Sequence, residues 1–214
     1  FQSVRFLMTK DIKLIVVACN TASALAMAEA KKTFDIPIIG VIEPGSRAAV
    51  FATKNSTIGV IGTEGTINSG SYQREIRKML PSAEIIGLSC PLFVPIVEEG
   101  WENSDVAFIT AQKYLLELKE HNIDSLVLGC THYPALRYTI NKVFENKVNL
   151  VNPAYETAKA TKIMLKENNM LSEKLDGGKI SFFVSDDPEK FKRIGGNILR
   201  KEITPVQKVN IENL

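Results

Sequence analysis

Hydrophobic positions along this chain gather into short, nearly continuous runs, and between them lie stretches apolar on one side only. The run Ile12-Lys13-Leu14-Ile15-Val16-Val17-Ala18 is rich in β-branched residues and suits a strand buried on both faces of a parallel sheet. It ends at Cys19-Asn20-Thr21, and the Ala-rich stretch from Ala22 to Lys32 predicts a helix. Before it, Val4 to Lys10 reads as the last turns of another helix. Ile36 to Ile42 predicts the next strand, closed by Glu43-Pro44-Gly45. Thr57 to Ile61 predicts a further strand, followed by Gly62-Thr63-Glu64-Gly65 and a helix to about Leu80. Glu84 to Leu88 and Ser125 to Leu128 read as strands on either side of a long helix from about Asp105 to His121. The tail repeats the alternation, with helices near Ala154 to Asn168 and Pro188 to Leu199 around a strand at Ile180 to Val184. Strands alternating with helices predict an α/β fold with mainly parallel sheets.

Part of this pattern occurs twice. In the first copy, Phe6-Leu7-Met8-Thr9-Lys10 leads into the strand Ile12 to Ala18 and then Cys19-Asn20-Thr21. In the second, Tyr114-Leu115-Leu116-Glu117-Leu118 leads into Ser125 to Leu128 and then Gly129-Cys130-Thr131-His132. Each strand ends in a cysteine with a threonine within two positions, and a second strand ending in a proline, Pro44 or Pro153, follows at a similar interval. Four ordered matches predict two related α/β halves, each placing a cysteine at the carboxyl end of a strand. In open α/β sheets that end is where ligands bind.

Composition narrows the partners. The 214 residues are enough for one large domain or two small ones at ~150 residues each. Apolar residues make up 45% and charged residues 23%, an ordinary globular balance. Lys and Arg number 26 against 24 Asp and Glu, so no basic excess exists to neutralise a run of phosphates, and no nucleic-acid partner is expected. No apolar run approaches the ~18 residues of a membrane span, and no signal peptide is read, so no membrane association is expected. Three widely spaced cysteines do not form a disulfide framework and point to a reducing, cytoplasmic setting. No Pro-rich or Gly/Ser-rich linker interrupts the chain, so any two domains are closely joined.

The chemistry then rests on Cys19 and Cys130. A single cysteine after an apolar strand is ordinarily inert core. Two of them on facing halves would line opposite walls of one cleft. A strand-to-helix turn offers free backbone N–H groups that favour the thiolate, so each pKa is expected to fall toward neutrality. Asn20, Thr21 and Thr131 add neutral hydrogen-bonding groups suited to a carboxylate, and Thr63, in its Gly-flanked turn, is a further carboxylate-binding candidate. Two acid/base groups on opposite faces of one carbon are what racemisation requires. A metal site is the rival for paired Cys and His, but neither cysteine has a C-x-x-C or H-x-x-x-H partner. A Cys130–His132 nucleophile and base is another rival, and it leaves Cys19 unexplained. Cys90, without a doubled partner, reads as structural, and His121 as a solvated group at a helix end.

The segments Val17-Ala18-Cys19-Asn20-Thr21-Ala22-Ser23 and Leu128-Gly129-Cys130-Thr131-His132-Tyr133-Pro134 resemble the two signature segments of bacterial glutamate racemases. Ile39-Gly40-Val41-Ile42-Glu43-Pro44 and Pro91-Leu92-Phe93-Val94-Pro95 with Glu98-Glu99-Gly100 look like further family segments. The related aspartate racemases share the first motif, whereas His-Tyr-Pro in the second favours the glutamate branch. The resemblance implies a two-thiol mechanism with no cofactor and no metal, and a product, D-glutamate, that feeds peptidoglycan synthesis. It implies that Cys19 takes the proton from D-glutamate and Cys130 from L-glutamate. Substrate contacts are implied at Asn20, Thr21, Thr131 and His132, with Glu98 supporting His132. The family's opening Asp-Ser-Gly loop and a later Tyr-Gly segment have no counterpart here. Were these 214 residues the whole polypeptide, a fragile fold and a poor racemase would be expected.

The fold expected is therefore two pseudo-symmetric α/β halves around a cleft, residues 1–43 with 152–214 against 44–151. The expected partner is the small molecule glutamate, and homodimer formation is left open. A non-catalytic amino-acid-binding module is the alternative from a different class.

Overall fold

Every strand pairing among the described residues is parallel. The computed structural model describes residues 1–174 and 177–212. In chain order its elements begin with α1 (Gln2–Met8), β1 (Ile15–Val17), α2 (Asn20–Thr33), β2 (Ile38–Gly40) and α3 (Ile42–Ala52). Next come β3 (Thr57–Gly62), α4 (Glu64–Asn68), α5 (Ser71–Met79), β4 (Glu84–Ser89), α6 (Phe93–Glu98) and α7 (Asp105–Glu120). β5 (Ser125–Gly129) leads through a 3-10 turn, Tyr133–Leu136, to α8 (Arg137–Val143) and β6 (Asn149–Val151). The last elements are α9 (Pro153–Glu167), β7 (Phe182–Val184), α10 (Pro188–Leu199) and β8 (Val206–Lys208).

A four-stranded sheet ordered β4-β3-β5-β6 is the centre of the fold, flanked by the two-stranded sheets β1-β2 and β7-β8. β5 is buried along its whole length and β3 nearly so, as their apolar runs require. One face of this sheet packs Leu126 and Leu128 against Phe93, Leu115, Leu118 and Ile140 from α6, α7 and α8. The other packs Ile58, Val60 and Val127 against Ala49, Tyr72 and Ile76 from α3 and α5. A separate small core of Ile15, Ala30, Phe34 and Ile38 holds α2 on β1 and β2. Several helix starts are legible locally: Ser104, Asn152 and Asp187 cap α7, α9 and α10, the last two with Pro at the first helical position.

Some expectations change. The first two strands are shorter than their apolar runs, Ile15–Val17 in place of Ile12 to Ala18 and Ile38–Gly40 in place of Ile36 to Ile42. β2 is bounded by Pro37, which has no N–H to give, and by Val41, whose N–H donates to Ser23 Oγ at 3.3 Å. Glu43-Pro44-Gly45, expected to close β2, lies in the first turns of α3, where proline is tolerated because that N–H has no helical partner. Gly45 is there for close packing, since a Cβ on it would stand 2.9 Å from the Pro153 ring. The helix expected up to Leu80 is two helices, broken at Gly70 with φ +62°. The segments α6, α8 and β8 are short and carry no periodicity that a sequence reading detects.

The topology fixes where a ligand would sit. From β3 the chain runs outward to β4 on one side, while β5 and then β6 lie on the other, so the order reverses between β3 and β5. The crevice beyond the carboxyl ends at such a reversal is the usual binding position in open α/β sheets. Both strands end in glycine, Gly62 in register with Gly129, and the next residues are Thr63 and Cys130. A Cβ on Gly129 would lie 2.6 Å from the Ile61 carbonyl oxygen, closer than any side chain can be seated. Gly129→Ala is therefore expected to destabilise the fold by ~1–3 kcal/mol, as overpacking does, and to displace Cys130. Chemical denaturation measures the first effect, and the rate of Cys130 alkylation the second; an unchanged midpoint and rate would contradict the argument.

Candidate active site

Cys19 lies two residues beyond β1 as the N-cap of α2, and its Sγ accepts the Ala22 N–H at 3.5 Å. Its side of the site is exposed. The next residue, Asn20, is 4% exposed, and its Oδ1 accepts the Tyr72 hydroxyl at 2.6 Å. Thr21 reaches across to the end of β3, with its Oγ1 2.8 Å from that of Thr63 and 3.1 Å from that of Thr66. Thr63 and Thr66 close the triangle at 3.1 Å, and Thr63 also caps α4. The hydroxyl cluster thus ties the carboxyl end of β1 to that of β3.

Cys130 follows β5 directly and is 8% exposed. Its Sγ is 3.7 Å from His132 Nδ1, and Thr131 Oγ1 is 3.5 Å from the same nitrogen. His132 Nε2 faces Glu98 Oε1 at 3.5 Å. This pairing has a structural cause two residues away. Tyr133 is fully buried, stacks edge-on against Phe93 of α6 at 5.3 Å, and donates its hydroxyl to the Cys90 carbonyl at 2.8 Å. α6 is thereby held against the turn that carries His132, and α6 ends in Glu98. The other Glu98 oxygen meets Lys190 Nζ at 3.0 Å, and Arg193 of the same α10 donates to the Glu98 carbonyl at 3.1 Å.

The thiols do not share one environment. The fall toward neutrality expected for both is corrected at Cys130, whose pKa is raised above the ordinary 9.0. Burial pushes it up, hydrogen bonds from His132 and Thr131 offset only part of this, and the nearby Cys19 charge adds to it. Cys130 is followed by a 3-10 turn and not by a full α-helix, so the helix-end argument behind the expectation is weaker there. Cys90 is wholly buried with its thiol pushed up to about 12, the behaviour of an inert core residue. Glu98 is held below the ordinary carboxylate value by its hydrogen bond to Lys190, against a smaller upward push from burial, with His132 also lowering it. His121 ends α7 and stands 3.5 Å from Glu84 at the surface.

A cavity of about 440 Å³ opens between these walls. Ala18 and Asn20 line it from the first strand end, Leu128, Cys130 and Thr131 from the second, and Asn152 and Pro153 from the start of α9. Asn20, Cys130 and Thr131 thus reach its wall, and Cys19 sits between two residues that do. Thr21 and Thr63 bridge the strand ends, while His132 and Glu98 stand behind Cys130. Among the described residues no group of three or more Cys, His, Asp and Glu is arranged to hold a metal ion. Sequence reasoning missed Thr66, Tyr72, Asn152 and Lys190. Thr66 had a signal, the Thr-x-x-Thr spacing of a helix cap, and Asn152 had one in Asn-Pro ahead of a helix. Tyr72 and Lys190 arrive from remote elements, and no local pattern marks them.

Residues 2–161 match the family model described as Asp/Glu/Hydantoin racemase. A glutamate racemase of Geobacter metallireducens is 45% identical over 207 residues, covering 97% of this chain and 77% of that one. Among solved structures, a glutamate racemase isoform of Bacillus anthracis superposes with a TM-score of 0.93 at 36% identity, covering 98% of this chain and 78% of that one. The glutamate racemase of Francisella tularensis, solved in complex with D-glutamate, gives 0.91 at 34% identity, covering 100% and 79%. With Cys130 and both neighbours of Cys19 on the wall of one cavity, and three quarters of its length matched, the chain belongs to the Asp/Glu/hydantoin racemase family.

Proposed function

We propose that this protein interconverts L- and D-glutamate by proton transfer between two thiols. The observation that carries the reading is the placement of Cys19 and Cys130 just beyond the carboxyl ends of two different strands, with Cys130 and both neighbours of Cys19 at one cavity. The similarity to enzymes named glutamate racemase over nearly the whole chain supports glutamate as substrate. The division into halves, 1–43 with 152–214 against 44–151, belongs to the same reading. Separate sheets carrying the two cysteines support it.

In the forward step from D-glutamate, the Cys19 thiolate takes the α-proton, the Cα–H bond breaks, and its electron pair stays on the substrate. The Cys130 S–H then gives its proton to the opposite face, leaving Cys130 as thiolate and Cys19 as thiol. The reverse step exchanges the roles. Raised by burial, Cys130 is suited to hold its proton until the carbanion forms, and His132 Nδ1 beside its sulfur is placed to move that proton when the roles reverse. Glu98, ionised and held by Lys190, orients His132 from the far side of the ring. Asn20, Thr131, Thr21 and Thr63 supply hydrogen bonds for the substrate carboxylates. A thiol pair does this proton chemistry without a cofactor. Among the described residues no helix is long and apolar enough to cross a membrane, and three free cysteines support a cytoplasmic setting.

In D₂O the protein is expected to exchange the glutamate α-proton with inversion; a binding module would exchange none. Cys19→Ala and Cys130→Ala should each lower racemisation by at least ~10²–10⁴-fold while far-UV circular dichroism stays unchanged. Near-normal turnover in either variant would remove the two-thiol reading.

The pH dependence follows from the Cys130 shift. Only the singly protonated pair reacts, and the equilibrium constant of a racemisation is one, so kcat/KM has the same profile from either enantiomer. The alkaline limb marks loss of the last proton, and burial of Cys130 should place it above pH 9.0. A limb near neutrality, measured by polarimetry across pH, would contradict this.

Lys190→Gln tests the support behind His132. Glu98 should then titrate closer to its ordinary 4.5, as followed by carbon NMR of its carboxyl. Because the folded-state pKa is depressed, the pair's contribution to stability is present above the unfolded value. It is lost as pH falls through the folded one. The stability gap between wild type and variant should therefore close in acid, and a gap that persists unchanged below that range would refute the assignment.

A further inference from the structure

Tyr72 has no place in the proton chemistry, yet its hydroxyl ends inside the site. The residue is 1% exposed and sits on α5, remote from both cysteine motifs. Two glycines make room for it. A Cβ on Gly129, the residue before Cys130, would meet the Tyr72 ring at 3.3 Å, and one on Gly45 would meet its hydroxyl at 3.1 Å. The ring thus passes between α3 and the end of β5 to reach Asn20.

What arrives there is a single proton. A buried phenol must donate it somewhere, and its one acceptor among the described residues is Asn20 Oδ1, at 2.6 Å. Burial, and secondarily the proximity of Cys130, push the Tyr72 pKa upward, so the phenol remains a donor throughout the working range. An asparagine amide can be turned either way, since its oxygen and nitrogen ends are similar in size. With Oδ1 claimed by the phenol, Nδ2 must point away from Tyr72. Asn20 lines the cavity beside Cys130, and Nδ2 has no hydrogen-bond partner among the described residues.

We propose that Tyr72 is a positioning residue that locks the Asn20 amide with its NH₂ group toward the cavity, as a fixed donor for a substrate carboxylate. The substrate half of this statement rests on the glutamate reading above; the locked amide does not. A donor held in place before binding spares the ordering cost of a free amide and rejects the orientation that would set an oxygen against a carboxylate. The donor holds the carboxylate in the ground state and in the transition state, so its loss raises KM; kcat falls as well where the carboxylate is the one bonded to Cα, onto which the carbanion's electron pair spreads.

The test uses Tyr72→Phe, which keeps the ring and removes the proton donor. KM for both glutamate enantiomers is expected to rise about tenfold or more, the size of one hydrogen bond to a charged group. In an Asn20→Ala background the same change should have no further effect on KM. Asn20→Asp, which still accepts from Tyr72 but presents an oxygen to the cavity, should bind glutamate more weakly than Asn20→Ala. An unchanged KM in Tyr72→Phe, or an equal rise with Asn20 already removed, overturns the proposal. A readout independent of turnover is the Asn20 Nδ2H₂ pair in nitrogen-15 spectra, identified by its loss in Asn20→Ala. It should be sharp in the wild type and shifted or broadened in Tyr72→Phe. An unaltered pair overturns the lock whatever the protein turns over, whereas a wild type inert toward glutamate but with a Tyr72-dependent pair overturns only the substrate reading.

Discussion

The parallel pairing of β3 with β5 is the constraint on which the other features depend. It is buried on both faces and, Ser125 apart, filled by apolar side chains and glycine, and it runs without a break from Ile58 beside Ser125 to Gly62 beside Gly129. Because the two strands stop in register, Thr63 and Cys130 emerge side by side at the reversal of strand order. The absent side chain at Gly129 lets the Ile61 carbonyl close in from one side and the Tyr72 ring from the other. A side chain at that point would separate the strand ends and push the ring off Asn20 in the same movement.

From that frame the two walls of the site acquire different properties. The Cys19 wall is a strand end open to solvent and followed at once by a regular helix. The Cys130 wall is backed by the largest apolar cluster of the molecule and followed by a 3-10 turn anchored through Tyr133. The two-thiol reaction proposed for this site does not need symmetric environments; it needs one proton shared between two sulfurs. Desolvation biases that proton toward the buried sulfur, and hydrogen bonds from the His132 backbone and from Thr131 oppose the bias locally. The pair is best regarded as one titrating unit, with site-by-site values subordinate to the shared proton.

Much of this was legible in the chain because the signals are local. An apolar run followed by cysteine and threonine places a strand end and a polar group together, and its recurrence at Cys130 implies a second wall. That Glu43-Pro44-Gly45 opens a helix is not legible, because Pro-Gly suits a turn and the first turn of a helix alike, and only the approach of Pro153 to Gly45 separates the two. The shortness of β1 and β2 was equally hidden, since it is set by the Ser23 hydroxyl taking the Val41 N–H and not by the apolar pattern. A helix end predicts lowered thiol pKa values, but at Cys130 the effect of burial, which depends on everything packed around β5, is larger.

What sequence could not supply is the set of side chains that arrive from elsewhere in the fold, Tyr72 from α5 and Lys190 from α10. Both act on a residue of the site through its own hydrogen bonds, one fixing an amide and the other a carboxylate. They differ in how strongly they can do so. Lys190 is largely exposed, so solvent screens its hold on Glu98 and permits exchange with water. Tyr72 is enclosed, and breaking its bond would strand a donor with no water to replace the acceptor. The rigid element of the site is therefore the Asn20 side, where substrate charge would be bound, and the adjustable one is the His132 side, where a proton would move. Fixed donors for the substrate's carboxylate, set in place before it binds, and a softer network where a proton changes hands, are the division that the proposed proton transfer would use.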